Sequence, residues 1–263
     1  MVEQMQLATR QRAWLKHYPE GGRAMSLGAL KLLVNRLGIG PLRPPPHRGG
    51  DAARAIEARR LRELAAQHVN VPQVLGQGKR SLMLSDNGRS LNACLREASS
   101  DAARDALMRL AVQAIAEAHA RGAYFGQPVP RNMTFDGTQI GFIDFEEDPL
   151  EVMTLAQAQA RDWLMFGYGV ARYYESRPDV LQKLMADAMA QQDARIREAT
   201  HEATTRLQRL AGVARHFGRS ARTLAQAILV IHGATSLGLL VVGVLMVDYF
   251  SDGDLDVLRI LAG

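Results

Sequence analysis

The chain has 263 residues, 47% of them hydrophobic, which is enough apolar material for one large core or two small ones. Its single cysteine, Cys94, excludes a disulfide framework, and no cluster of cysteines and histidines indicates a zinc site. The net charge is +5, but the arginines alternate with acidic residues along helices instead of clustering with aromatic residues, so the sequence does not indicate a nucleic-acid-binding protein.

Hydrophobic periodicity predicts an α+β chain in which strands come early and helices fill the second half. The predicted strands lie at residues 13–18, 71–75 and 81–84 and on both sides of a turn at Asp136 and Gly137. The predicted helices cover residues 26–37, 52–68, 101–121, 156–168 and 180–210. The Pro- and Gly-rich stretch 38–50 predicts an irregular loop, after which Asp51 is expected to be the N-cap of the second helix.

The stretch from Tyr124 to Asp148 holds the residues best suited to chemistry. Two hydrophobic runs joined by a Gly-containing turn predict a hairpin. Asn132 begins the first strand of this hairpin, and Asp144 follows the second strand, residues 140–143. Because hard cations bind oxygen donors, this amide and this carboxylate are plausible ligands for Mg²⁺.

These residues resemble the protein-kinase-like superfamily, and most closely its bacterial branch of lipopolysaccharide-core (Kdo/heptose) kinases. In that branch a loop reads roughly H-G-D-x-x-x-x-N and a metal-binding strand ends in I-D-F/P-E. Asn132 and the IDFE sequence at residues 143–146 match this pattern. Gln127, however, stands where the family has its catalytic Asp, and Phe125 stands where it often has His. The resemblance extends over residues 13–168.

The resemblance implies a protein-kinase-like two-lobe fold, with a small mixed N-terminal lobe at residues 1–88 and a mainly helical C-terminal lobe at residues 89–210. It implies ATP and Mg²⁺ as ligands, with Asn132 and Asp144 holding the metal. Lys16 would reach the phosphates of the nucleotide, as a compact cation can.

Further roles follow from the same resemblance. Glu57 would form an ion pair with Lys16, the alternatives being Glu63 or an exposed helix face. Asp86 belongs to a turn, Ser85-Asp86-Asn87-Gly88, that matches the hinge where adenine contacts the backbone, although this sequence also suits an ordinary turn. Asp162 would accept hydrogen bonds from amides of the catalytic loop, or else pair with an arginine at the surface.

Two features depart from the family pattern. Too few residues precede Lys16 for two full strands and a loop between them, and no G-x-G-x-x-G sequence occurs there. Gln127 can orient an acceptor by hydrogen bonding but cannot accept a proton at neutral pH. If the protein is an active kinase, the base would therefore be Glu146, Glu147 or Asp148.

Residues 223–247 contain no charged side chain, and about 20 apolar residues suffice to cross a bilayer. Arginines precede this segment and aspartates follow it, which fits the positive-inside rule with the main domain in the cytoplasm. Residues 1–12 are polar and do not predict a signal peptide. We therefore expect a single-pass protein of a bacterial inner membrane with a short tail at residues 248–263, the alternative being a buried helix of the C-terminal lobe.

The expected function is that of a membrane-tethered phosphotransferase that uses ATP and Mg²⁺. Its acceptor would be a hydroxyl of a lipid-linked saccharide or of another membrane-associated molecule, and basic residues before the segment would favour anionic lipid head groups. Glycines within the segment also suit a homodimer. Two alternatives stay open, a nucleotide-binding pseudokinase that acts as a regulatory scaffold at the membrane and a helical membrane adaptor without nucleotide.

Overall fold

The computed structural model describes residues 2–20, 39–214 and 225–236. The predicted helix at residues 26–37 and the predicted tail at residues 248–263 lie outside these ranges. Within them the chain has an α+β fold, with two small antiparallel sheets and a predominantly helical second half.

The first sheet has the strand order β1-β2-β4-β3, and its strands are β1 (Val2–Gln6), β2 (Arg12–His17), β3 (Val74–Gln77) and β4 (Ser81–Ser85). Strand β1 was not predicted, because its polar sequence is exposed along its whole length and carries no hydrophobic alternation. It is held by antiparallel pairing with β2, with Val2 opposite Lys16.

Helix α1 (Gly50–Ala66) packs against the first sheet through Leu61 and Leu64, which share a buried cluster with Leu82 of β4. Its N-cap is Gly49, so the prediction that Asp51 caps the helix is wrong. Asp51 lies instead in the first turn, where it pairs with Arg54. There its negative charge still favours the N-terminus of the helix dipole.

The second sheet contains β5 (Arg89–Ser90), β6 (Met133–Phe135) and β7 (Ile140–Phe142). Strands β6 and β7 form the predicted hairpin, which is therefore confirmed. The Asp136 carboxylate accepts the backbone N–H groups of Thr138 and Gln139 at 2.8 and 2.9 Å, and Gly137 supplies the positive φ of 106° that the turn requires. These hydrogen bonds lower the pKa of Asp136 to about 2.

The helical half contains α2 (Leu91–Glu97), α3 (Asp101–Ala120), α4 (Leu155–Ala171), α5 (Pro178–Ala190), α6 (Ala194–Ala214) and a last helix, α7, at residues 225–236. The single helix predicted at residues 180–210 is thus two helices, separated at residues 191–193. Helix α4 forms the centre of this half and buries Trp163 and Phe166 completely. Its start is fixed by a capping box between Thr154 and Gln157.

The prediction of a membrane-spanning helix at residues 223–247 is wrong, and so is the single-pass inner-membrane location that depended on it. Among the described residues, no helix has the length and apolar character needed to cross a bilayer. The described part of the segment, α7, packs into the helical half: Ile231 is 1% exposed and lies against Gly167 of α4. Residues 237–247 lie outside the described ranges.

The polar residues of α7 explain why an uncharged segment suits this position. Gln226 Nε2 donates a hydrogen bond to the backbone oxygen of Tyr174 at 3.0 Å. His232 Nδ1 lies 3.2 Å from Thr204 Oγ1, and its ring stacks on that of His201 at 4.8 Å. Each polar group thus finds a partner on a neighbouring element, as a buried helix requires.

We expect Ile231→Ala to lower the free energy of unfolding by about 2–5 kcal/mol, because it leaves a cavity between α7 and α4. Leu229→Ala removes a side chain of the same size from the same helix, but Leu229 is 52% exposed and its loss should cost less than about 0.5 kcal/mol. Urea unfolding of the full-length chain measures both. Equal stability of the two variants would show that α7 does not pack as described.

Candidate active site

The ammonium group of Lys16 lies among three carboxylates from two separate parts of the chain. Its Nζ atom is 2.7 Å from Glu57 Oε2, 2.6 Å from Asp144 Oδ1 and 2.9 Å from Glu146 Oε1. Lys16 is on β2, Glu57 is on α1, and the other two residues follow β7. We call these four residues the lysine cluster. It contains the Lys16–Glu57 ion pair, whereas the alternative partner Glu63 pairs with arginines of its own helix.

Charge and burial determine the protonation of the cluster. Burial alone would lower the pKa of Lys16, but attraction to Glu57, Asp144 and Glu146 outweighs it and raises that pKa above the usual lysine value. The hydroxyl of Tyr18 donates a hydrogen bond of 2.7 Å to Glu57 Oε2, and burial followed by the Glu57 charge raises the pKa of this phenol. Lys16 is therefore a cation, and Tyr18 is a neutral donor.

Asp144 is the most accessible member of the cluster, with 44% of its side chain exposed. Its backbone φ of 73° lies in the left-handed region, which non-glycine residues rarely adopt. Such a conformation persists only where surrounding contacts impose it. Here those contacts include the Lys16 ion pair and the hydrogen bond from the preceding Ile143 N–H to the Asn132 carbonyl, at 2.9 Å.

The oxygen donors of this region fit a hard cation such as Mg²⁺. One oxygen from each of Glu57, Asp144 and Glu146 lies within 4.8 Å of the others. Asn132 is buried, and its amide nitrogen donates to the Gln127 carbonyl at 3.2 Å, which leaves Oδ1 as the atom for a cation. Because Lys16 contacts the three carboxylates, a bound metal would have to draw Asp144 away from the ammonium.

Gln127 lines a cleft of about 160 Å³ that also exposes Asp144, Glu146 and Glu147. The Gln127 side-chain nitrogen is 3.5 Å from Glu147 Oε2. The other carboxylate oxygen of Glu147 lies 3.1 Å from His47 Nδ1. Glu147 is therefore anchored on one side and faces Gln127 on the other.

The three acidic residues that follow Phe145 have different partners. Glu146 contacts Lys16, as described above. Asp148 is buried and accepts hydrogen bonds from Arg59 at 2.6 Å and from the Tyr124 hydroxyl at 2.8 Å. Although burial acts in the opposite direction, these donors hold the pKa of Asp148 below its usual value. Of the three, Glu147 is the one left to act on a ligand in the cleft.

Asp162 holds the backbone of the loop that carries Gln127. It is fully buried on α4 and accepts hydrogen bonds from the backbone N–H groups of Phe125 at 2.8 Å and Gly126 at 2.6 Å. One of its oxygens also lies 3.0 Å from His119 Nε2. The alternative of a surface carboxylate paired with an arginine is thus wrong, and His119 is a buried core residue.

The structure does not bring Asp86 to the lysine cluster. Its carboxylate accepts a hydrogen bond of 2.8 Å from Trp14 Nε1 and pairs with Arg12 at 2.9 Å, and its backbone N–H donates to the Arg12 carbonyl. It lines a separate, wider cleft of about 690 Å³ beside the turn at residues 86–89. The carboxylate thus fastens β2 to this turn.

Two residues of the site were not anticipated. Tyr18 stands two positions after Lys16, and the alternation of a strand could have placed both on one face. His47 lies in the irregular stretch before α1, where no periodicity indicates which side chains face the cleft.

Comparison with protein-family models and with curated proteins finds no match for this chain. The interpretation of the site therefore depends on its own geometry and chemistry.

We expect Asp162→Ala to lower the free energy of unfolding by roughly 3 kcal/mol or more, since it leaves two buried amides and His119 without their acceptor. The exposed Asp187 on α5 is the control, and Asp187→Ala should change stability by less than about 0.5 kcal/mol. Urea unfolding gives both values. Hydrogen exchange at the Phe125 and Gly126 amides adds a local measurement, and unchanged protection in the Asp162 variant would contradict the supporting role.

Proposed function

We propose that the protein is a kinase-like phosphotransferase that moves the γ-phosphoryl group of ATP to an acceptor hydroxyl. The observation that carries the proposal is the lysine cluster. Lys16 contacts Glu57, 41 residues away, and Asp144, 128 residues away, through hydrogen bonds of 2.7 and 2.6 Å. A buried lysine held by a helix glutamate, beside an exposed aspartate at a strand end, is the arrangement that protein kinases use to position nucleotide phosphates.

Each residue has a distinct task in this proposal. Asn132 Oδ1 and the Asp144 carboxylate would hold Mg²⁺, which when bound neutralises charge on the terminal phosphates. Glu57 orients the Lys16 ammonium, and Tyr18 fixes the acceptor oxygen of Glu57 at 2.7 Å. If Asp144 turned to the metal, the side of the Lys16 ammonium that it occupies would be open to phosphate oxygens, while Glu57 would still orient the ammonium.

The acceptor side of the reaction requires a base. As the acceptor oxygen bonds to the γ-phosphorus, the bond from phosphorus to the β,γ-bridging oxygen breaks and the hydroxyl proton must leave. Gln127 orients the hydroxyl but cannot take that proton. We assign this task to Glu147, whose Oε2 is 3.5 Å from the Gln127 amide nitrogen and whose Oε1 is anchored by His47.

A nucleotide-binding pseudokinase is the second candidate, and the amide at Gln127 is the observation that favours it. It shares the nucleotide site with the first candidate and differs in turnover. Because no described helix supports a membrane tether, we propose the acceptor only as a hydroxyl compound.

We expect ATP with Mg²⁺ to raise the melting temperature of the full-length wild-type chain, because a ligand that binds only the folded state stabilises it. Asp144→Asn should abolish this shift, because the amide loses the negative charge that attracts the metal. Asp187→Asn makes the same chemical change at an exposed site on α5 and should keep the shift. No shift in the wild type at millimolar nucleotide would refute both the kinase and the pseudokinase proposals.

We expect Glu147→Gln to lower kcat by about 10²–10⁴-fold with little change in KM for ATP, because it removes the base and leaves the nucleotide site intact. Glu151→Gln is the matched control, since Glu151 lies four residues further on and pairs with Arg48 outside the cleft. ATP turnover with a panel of hydroxyl acceptors provides the measurement. Equal kcat in the wild type and the Glu147 variant would exclude Glu147 as the base.

A further inference from the structure

Arg161 is a buried cation whose partners are all backbone carbonyls. The residue is 6% exposed on α4, next to Asp162. Its Nε donates to the Gly126 oxygen at 2.9 Å, and Nη1 donates to the oxygens of Pro41 and Arg43 at 3.2 and 3.4 Å. Among the described residues, no carboxylate lies within ion-pair distance of Arg161, and its hydrogen bonds are made by Nε and Nη1 and not by Nη2.

A buried guanidinium without a counterion is unfavourable. Carbonyl dipoles compensate only part of the solvation that the charge loses, and burial lowers the pKa of Arg161 below its usual value. An anion that reaches the unused edge of the guanidinium would form charge-assisted hydrogen bonds and add to the counter-charge that Glu147 and Asp162 supply without direct contact. The environment of Arg161 therefore favours the binding of an anionic ligand.

The position of Arg161 indicates which molecule would supply this anion. The residue lines the same 160 Å³ cleft as Gln127 and Glu147, and this volume far exceeds the ~10–15 Å³ that one water needs. Arg131 lines the cleft as well and adds a second positive charge, opposite the carboxylates of Asp144, Glu146 and Glu147. The opening that Arg161 faces is thus the one in which the acceptor hydroxyl would be activated.

We infer that the acceptor of this enzyme carries an anionic group, a carboxylate or a phosphate, which Arg161 binds through Nη2 while the hydroxyl lies at Gln127 and Glu147. This inference rests on the proposed function, since it names the substrate class of the same site. Arg131 is exposed at the cleft and assists the binding. Glu147 is the carboxylate that acts most strongly on the Arg161 charge, so it weakens the binding of an anion.

The test is the binding of inorganic phosphate and of acetate to the full-length chain, by calorimetry, with EDTA present and without nucleotide. Without metal or nucleotide, the carboxylates around Lys16 disfavour an anion beside them, so the expected phosphate site is the side of the cleft formed by Arg161 and Arg131. Arg161→Gln should weaken phosphate binding about ten-fold or more, as expected for the loss of a charge-assisted hydrogen bond. Glu147→Gln should strengthen it roughly two- to five-fold by removing a repulsive charge.

Arg48→Gln is the matched control, because Arg48 belongs to the same irregular stretch as His47 and pairs with Glu151 outside the cleft. It makes the same charge change and should leave the affinity for phosphate unchanged. Should Arg161→Gln fail to fold through loss of its carbonyl contacts, Arg131→Gln and Glu147→Gln still test the site, with expected effects of opposite sign. Phosphate affinities equal to the wild type in every folded cleft variant would overturn the inference.

The affinity for phosphate in EDTA is measured without nucleotide, so it does not depend on whether the chain binds ATP. Phosphate binding that depends on Arg161 in a chain that binds no ATP would refute the proposed function and, with it, the acceptor role of the anion site. ATP binding with no dependence of phosphate binding on the cleft residues would refute the inference alone. When both bindings are present, small hydroxy acids and phosphorylated alcohols should be phosphorylated faster than neutral polyols of equal size.

Discussion

The rest of the site depends on the sharing of one ammonium, that of Lys16, among three carboxylates. The interaction joins the first sheet, helix α1 and the end of the β6–β7 hairpin, so it fixes where the two halves of the chain meet. It also leaves an excess of negative charge, because three carboxylates surround one cation. That excess attracts a divalent cation and repels free phosphate. A nucleotide is therefore expected to enter as its metal complex, with the cation bridging two groups that would otherwise repel each other.

The parts of this arrangement that the sequence could predict are those with a short-range signal. The hairpin around Asp136 is specified by its own turn chemistry, and it carries Asn132 and Asp144 at its two ends wherever it packs. The ion pair between Lys16 and Glu57 could be predicted only from the family resemblance, because the sequence of a strand or a helix does not indicate which distant charge it will contact. Their contact in the structure is the kind of information that only the fold provides.

The features that the sequence did not predict correctly also have physical causes. An uncharged segment meets the same requirement in a bilayer and in a protein interior, and only the partners of Gln226 and His232 on other elements distinguish the two. Strand β1 is stabilised by backbone pairing and not by its side chains, so its sequence has no hydrophobic pattern that predicts a strand. Two of the three hydrogen-bond partners of Arg161, Pro41 and Arg43, lie 120 and 118 residues away, and every residue type possesses the backbone carbonyl that they offer.

The irregular stretch at residues 39–49 connects the two ligand sites that we propose. On one side it contacts Arg161 and Glu147, and on the other it leads directly into α1, whose first residue, Gly50, donates its N–H to the Pro19 carbonyl at 2.9 Å. A displacement of this stretch therefore moves the helix that holds Glu57. Occupancy of the acceptor cleft and of the nucleotide site should consequently share a coupling free energy, and thermodynamic linkage requires that energy to be the same whichever ligand binds first.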